Sequence, residues 1–258
     1  MKSYGSTITL SKTSRGVWGI DTVKGCKYGM AANDNGCYGA CYACNVSKRY
    51  GVDFSNSVLR RFRSKEHEKN ILSHIESIDM DFVRIGIMGD PSECWGHTIE
   101  ICDKIKHAGK KIVIITKHWE TIPGYLLDKI SSLGLIVNTS VSALDDDYLI
   151  DHRLSQYEKL KNVCNSVLRV VSCDFNINNM SGLICDSIQI DLLNHANIID
   201  TALRIGKNHY LHTEGIVNIE TVNFMSKNTT VSLGNKKNHL GYCESCYDKC
   251  GTGIKYEN

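Results

Sequence analysis

Proline is almost missing from this chain, with two residues, Pro91 and Pro123, in 258. That scarcity excludes proline-rich linkers and polyproline recognition segments, and no low-complexity stretch takes their place. Long apolar runs are missing too. Nothing approaches the roughly 18 apolar residues that span a bilayer, and the opening MKSYGSTITLSKTSRG has no apolar core of a secretory leader. A cytoplasmic protein without membrane association is expected. A charge excess is also missing: 30 Lys and Arg against 28 Asp and Glu leave +2, too little to argue for a polyanionic partner through bulk charge.

Cysteine is what the chain has in abundance, with twelve residues. A chain of this length, 42% hydrophobic, can bury enough core not to need covalent staples, so metal or cluster ligation is the first reading of the thiols. Six of the twelve fall in two tight groups. Of the other six, Cys26 lies ahead of the first group, while Cys94, Cys102, Cys164, Cys173 and Cys185 sit in apolar or helical settings and read as core thiols.

Strand-like runs alternate with helical segments, the pattern of an α/β fold with a parallel sheet. The strands are expected at 17–22, 82–88, 111–116, 135–142, 166–173 and 198–205, most of them apolar on both faces. Helices are expected at 65–78, 98–108, 124–133, 146–162 and 187–196. Six such units make a (β/α)6 partial TIM barrel over residues 1–210, with a short Cys-rich extension over 211–258. In barrels of this kind chemistry gathers at the C-terminal strand ends. Polar residues do fall there: Met88-Gly89-Asp90-Pro91, Lys117 and His118, Ser140 and Ser142, and Ser172 followed by Asp174 and Asn176.

The loop after the first strand reads Gly36-Cys37-Tyr38-Gly39-Ala40-Cys41-Tyr42-Ala43-Cys44, three thiols at C-x3-C-x2-C spacing. Soft thiolates select iron–sulfur clusters, zinc or copper. Three cysteines on a cubane leave one iron open to chelate a cofactor. At these residues the sequence resembles the radical S-adenosylmethionine (SAM) superfamily, and the Gly-Cys-Tyr-Gly loop, the Met-Gly-Asp-Pro strand end and a Cys-rich tail resemble its small, phage-type proteins.

The resemblance implies that Cys37, Cys41 and Cys44 hold a catalytic [4Fe–4S] cluster whose open iron binds SAM. Electron transfer then cleaves SAM to a 5′-deoxyadenosyl radical that abstracts a substrate hydrogen. Met88, Gly89, Asp90 and Pro91 stand where the family has Gly-Gly-Glu-Pro, which contacts the SAM amino group. Tyr42, one place before the family's aromatic position, is expected on the cofactor side. Ser140, Ser142 and Ser172 are hydroxyl candidates, and Arg153 and Arg169 are candidate partners of the SAM carboxylate through a bidentate fork. Lys117, His118, Asp174 and Asn176 are candidates for contacting substrate.

The tail carries Cys243, Cys246 and Cys250 at C-x2-C-x3-C spacing, in a segment too short and polar to build its own core. It resembles a minimal auxiliary-cluster extension, a second [4Fe–4S] site with Cys26 as a candidate fourth ligand; structural zinc is the alternative. The stretch Lys48–Lys65 interleaves basic residues with aromatics and could hold nucleic-acid phosphates. The expected partners are therefore a small-molecule or nucleotide substrate, with nucleobase or DNA modification as one form of the reaction, and a reductant of the flavodoxin or ferredoxin type. A monomer is expected. The rival functions are an iron–sulfur electron carrier and a zinc-stabilised nucleic-acid-binding module.

Overall fold

The computed structural model describes residues 1–224 and 227–256. In chain order the elements are β1 (Ser11–Lys12), β2 (Trp18–Ile20), β3 (Val23–Lys24), α1 (Lys27–Ala32), α2 (Tyr42–Arg49), β4 (Val58–Leu59), α3 (Lys65–Ser77), β5 (Phe82–Ile85), α4 (Trp95–Ile105), β6 (Lys111–Thr116), α5 (Leu127–Leu133), β7 (Ile136–Val141), α6 (Asp147–Lys161), β8 (Asn165–Ser172), α7 (Met180–Leu193), β9 (Ile198–Arg204), α8 (Tyr210–Thr213), β10 (Glu220–Phe224) and β11 (Lys227–Ser232).

Nine strands form one sheet in the order β1-β2-β5-β6-β7-β8-β9-β11-β10. From β2 to β9 every neighbour is parallel, and the order follows the sequence, with α3 to α7 as the connections. Antiparallel strands flank this run: β1 pairs β2, and the β10–β11 hairpin pairs β9. The sheet has free edges at β1 and β10 and is not a closed barrel among the described residues. A small ribbon, β3–β4, stands apart.

Alternation along the strands sorts the side chains onto two faces. Val83, Ile85, Ile112, Ile114 and Val137 face the helices and pack with Ile75, Ile99, Ile130 and Leu160. On the other face Phe82, Val113, Ile136, Val167 and Ile199, one from near the start of each strand, form an apolar floor with Val17. The tail covers that floor with Cys243, Cys250, Ile254 and Tyr256. Burial contributes about 1.5–3 kcal/mol for each such side chain fully removed from water.

Local chemistry fixes the helix starts. Ser64 accepts from the His67 amide and Asp146 from the Leu149 amide, each satisfying an orphan donor of the first turn. Six strands and most helices lie where the sequence places them. The exception is α7, which begins at Met180 and not at 187, on a cap supplied by Asn179. No helix among the described residues is long and apolar enough to cross a membrane.

Candidate functional site at the cysteine loop

Gly36 and Gly39 both take positive φ (75° and 67°), and Tyr38 joins them at 57°, so the chain coils tightly between Cys37 and Cys41. Cys37 opens a 3-10 turn, Cys41 caps α2, and Cys44 lies in the first turn of that helix. Three thiols are thereby brought to one side. A Cβ on Gly36 would stand 2.5 Å from the Cys41 Cβ and 3.3 Å from that of Cys44, so the absence of a side chain there makes the cradle. Burial pushes all three thiols up, Cys37 to about 11 against the opposing pull of Lys117. Such thiols keep their protons until a metal displaces them.

Among the described residues no three His, Cys, Asp or Glu side chains stand close enough together to hold a single metal ion. A cubane is several atoms across and holds its thiolates farther apart than one ion does, so the soft donor set and the open cradle suit a cluster.

Cys26 is the surprise of this site. A Cβ on Gly29 would lie 3.2 Å from the Cys26 Sγ and 3.3 Å from the Cys37 Sγ. Cys26 caps α1, accepting from the Gly29 amide, and packs with Cys41 and Cys44. It stands beside Cys37, Cys41 and Cys44. Eleven residues separate it from Cys37, so no spacing rule points to the pair.

Cys37 and Cys41, with Cys26, line a cavity of about 710 Å³, while Cys44 is buried behind them with its Sγ toward Met30 and the Asp34 carbonyl. Gly89, Asp90, Lys117 and Ser140 line it beside the thiols, and Tyr42, 54% exposed, stands at its mouth. The 86–91 segment is held from below. Asp21 Oδ1, buried, accepts from the amides of Ile87 (2.7 Å) and Met88 (2.8 Å), and Gly89 packs so tightly on the backbone of Val23 and Gly25 that a Cβ would sit 2.3 Å from the Val23 carbonyl. Asp90 is itself engaged. One oxygen accepts from Ser92 and from the Thr116 hydroxyl (2.5 Å), the other from the Lys117 amide (2.8 Å). Its carboxylate joins two strand ends at the cavity wall.

Several expected site residues do not reach this cavity. Arg153 is fully buried and paired with Asp145, while its Nε donates to the Lys117 carbonyl at 2.8 Å. Its role is to fix the loop behind the site. His118 is buried, takes φ 49° and meets Thr139 Oγ1 at 3.0 Å through Nε2. The Ser142 hydroxyl donates to the Val171 carbonyl, and Ser172 accepts from Asn238 on the far side of the sheet edge. The Asp174 amide donates to Ser232 and Asn176 Nδ2 to the Gly215 carbonyl, which ties both into a loop. Pro91 is buried at the start of its turn, and Met88 packs behind the cysteines with Cys26 and Phe54. Within the basic and aromatic stretch at 48–65, Arg60 turns inward and donates to Thr9 Oγ1.

Lys117 is the expected substrate residue that does line the cavity. Its ammonium donates to the Tyr38 hydroxyl and lies 4.1 Å from the Tyr38 ring centroid; that hydroxyl in turn donates to Asp145 at 2.9 Å. The cysteine loop is thus moored to β6 and to the end of β7. The same cavity is lined by Arg84, Arg169, Arg204, Arg15 and the tail's Cys243. Of these arginines sequence reasoning singled out Arg169 alone. The missed signal was a lone arginine inside an apolar strand, as in the FVRI of β5.

The tail meets the floor through a close fit. Asn138 Nδ2 donates to the Cys250 carbonyl at 3.0 Å, and Gly251, φ 98°, packs where a Cβ would lie 2.9 Å from Val167 Cγ2. At the other end the Cys243 amide donates to the Arg15 carbonyl. Cys243 lies within electrostatic reach of both Cys246 and Cys250.

No family model and no curated protein matches the chain. Solved structures do. A spore photoproduct lyase mutant with bound dinucleoside spore photoproduct superposes with a TM-score of 0.56 at 11% identity, covering 89% of this chain and 72% of that one. A double mutant of the lyase, with bound AdoMet and the dinucleoside, gives 0.52 at 11% identity, covering 87% and 71%. At this identity the likeness is one of architecture, and this chain has the fold of spore photoproduct lyase.

Proposed function

We propose that this chain is a radical SAM enzyme. The observation that carries the reading is the cysteine loop. Its three cysteines are gathered about Gly36, beyond the first strand of a six-strand parallel run, and two of them, Cys37 and Cys41, line a cavity flanked by Gly89, Asp90 and Ser140. The sheet is read as the open, partial form of the barrel. The likeness to a lyase solved with bound AdoMet supports the cofactor.

Cys37, Cys41 and Cys44 would hold a [4Fe–4S] cluster, and the strand end at Gly89 and Asp90 would receive the ammonium of SAM, for which carbonyl and carboxylate oxygens are the needed acceptors. A cluster held by these three cysteines, once reduced by an electron-carrier protein, would supply the electron for cleaving SAM to methionine and the 5′-deoxyadenosyl radical that would take a hydrogen atom from substrate. The protein's own part is positional. Asp21 holds the 86–91 segment, and Tyr38 and Lys117 fix the loop between the first two thiols. A nucleotide or nucleobase is the favoured substrate class, a flavodoxin- or ferredoxin-type protein the reductant, and the tail trio a second cluster.

The test is anaerobic purification with iron and sulfide counts, then dithionite and SAM. The expected result is 5′-deoxyadenosine, abolished by Cys41→Ala, with iron near about eight per chain if both sites carry cubanes and about four if one does. Zinc without iron, or iron without SAM cleavage, refutes the reading and favours the binding-module or electron-carrier functions respectively.

A further inference from the structure

A sheet face that closes over a core is normally filled with aliphatic side chains. Here the layer above the floor is charged. Arg84 follows Phe82 on the inner face of β5, and Arg169 stands between Val167 and Val171 on β8. Arg15, from the β1–β2 turn, and Arg204, from the end of β9, line the same cavity.

Neither Arg84 nor Arg169 enters an ion pair among the described residues. Arg84 Nη2 donates to the Gly86 carbonyl at 3.2 Å, and its Nε is buried without a hydrogen-bond partner. Of the acidic groups that act on Arg84, the tail thiols of Cys250 and Cys243 act more strongly than Asp21, which is committed to two backbone amides, and Asp248 acts on Arg169 from the tail side. Burial lowers the proton affinity of Arg84, and Arg169 adds to the effect; burial, Arg15 and Arg169 together push Arg204 down to about 10. Guanidiniums gathered in a cavity repel one another, and a bound anion relieves that repulsion. A single carboxylate saturates one guanidinium fork, whereas a phosphate dianion offers oxygens to several.

We propose that Arg84 and Arg169 anchor the phosphate of a small phosphomonoester substrate, of nucleoside 5′-monophosphate size, above the floor of the cavity. The organic part of the substrate then extends toward the cysteine loop. As a statement about substrate this rests on the radical SAM reading, but as a statement about binding it stands alone. A cavity of this volume takes one such molecule beside a second small ligand.

The test uses the full chain, purified anaerobically with its metal content counted. Equilibrium dialysis measures inorganic phosphate, the four deoxynucleoside 5′-monophosphates, the corresponding nucleosides and a phosphodiester oligonucleotide. At least one monophosphate is expected to bind about tenfold or more tighter than its nucleoside, with the advantage lost in Arg84→Gln and in Arg169→Gln and partly kept in Arg84→Lys. Should one glutamine variant fail to fold, the other carries the comparison. Equal binding of nucleotide and nucleoside, no binding of either, or preference for the oligonucleotide overturns the proposal. So does loss of iron and sulfide in the glutamine variants with nucleotide affinity unchanged, which would make the arginines counter-charges of the tail site. Arginine-dependent nucleotide binding without 5′-deoxyadenosine formation would leave the anchor standing and remove the radical reading; SAM cleavage without nucleotide preference would do the reverse.

Discussion

Arg153 and Asp145 form an ion pair with side chains 0% and 5% exposed, and the same carboxylate accepts from the Tyr38 hydroxyl and the Ser142 amide. Burial alone would raise the Asp145 pKa, but Lys117 and Arg153 outweigh it and hold the carboxyl below its usual range. The pair joins α6 to the cysteine loop. Replacing one member strands a charge in the interior, so Arg153→Met is expected to cost about 3–5 kcal/mol in urea unfolding, and the double variant with Asp145→Asn to recover part of it.

His118 gives stability a pH dependence of known sign. Burial, then the charges of His152 and Arg153, push its pKa down to about 3, against about 6.5 in the unfolded chain. The unfolded state takes up the proton first, so the contribution is complete above about pH 6.5 and declines as pH falls toward 3. Unfolding free energies from urea titrations between pH 7 and 4 should fall more steeply for the parent than for His118→Asn, by up to about 1.4 kcal/mol per pH unit. Asparagine tolerates the positive φ at this position.

Gly36→Ala is expected to fold and to lose iron. The added Cβ meets Cys41 at 2.5 Å, and an L-residue at φ 75° adds about 1–2 kcal/mol of strain confined to the loop. Iron and sulfide per chain after reconstitution, read beside far-UV circular dichroism, decide it: metal at the parent level would show that the cradle tolerates a methyl group.

Gly251→Val should release the tail, because the side chain would drive into Val167 and Ile136. Limited trypsin digestion is the measurement, with cleavage after the exposed Lys249 accelerated at least about tenfold if docking costs over about 1.4 kcal/mol. Unchanged cleavage would mean that the tail holds by its cysteine end alone.

Much of this was legible in the sequence for identifiable reasons. The Lys111–Thr116 strand reads clearly because KIVIIT is apolar on both faces and follows Gly109, whose φ of 70° ends the preceding turn. The start of α7 was not legible: Met180, Leu183 and Ile184 are exposed, so the helix has no amphipathic period to find. Cys37, Cys41 and Cys44 announce themselves by spacing, whereas Cys26 reaches them only through the fold. Arg153 shows the opposite failure, since a sequence cannot tell a guanidinium aimed at a ligand from one aimed at a buried aspartate.

The floor of the cavity is closed from a distance. Asn138 holds the Cys250 carbonyl across 112 residues, and Arg15 Nε the Gly241 carbonyl across 226. Contacts so far apart in sequence pay their loop-closure entropy late, after the neighbouring strands have paired. While the chain is being made, Val113, Ile136 and Val167 therefore stay bare until the segment that caps them has left the ribosome. In that interval the half-built sheet can stick to other chains, and synthesis at about 5–20 residues per second sets how long the hazard lasts.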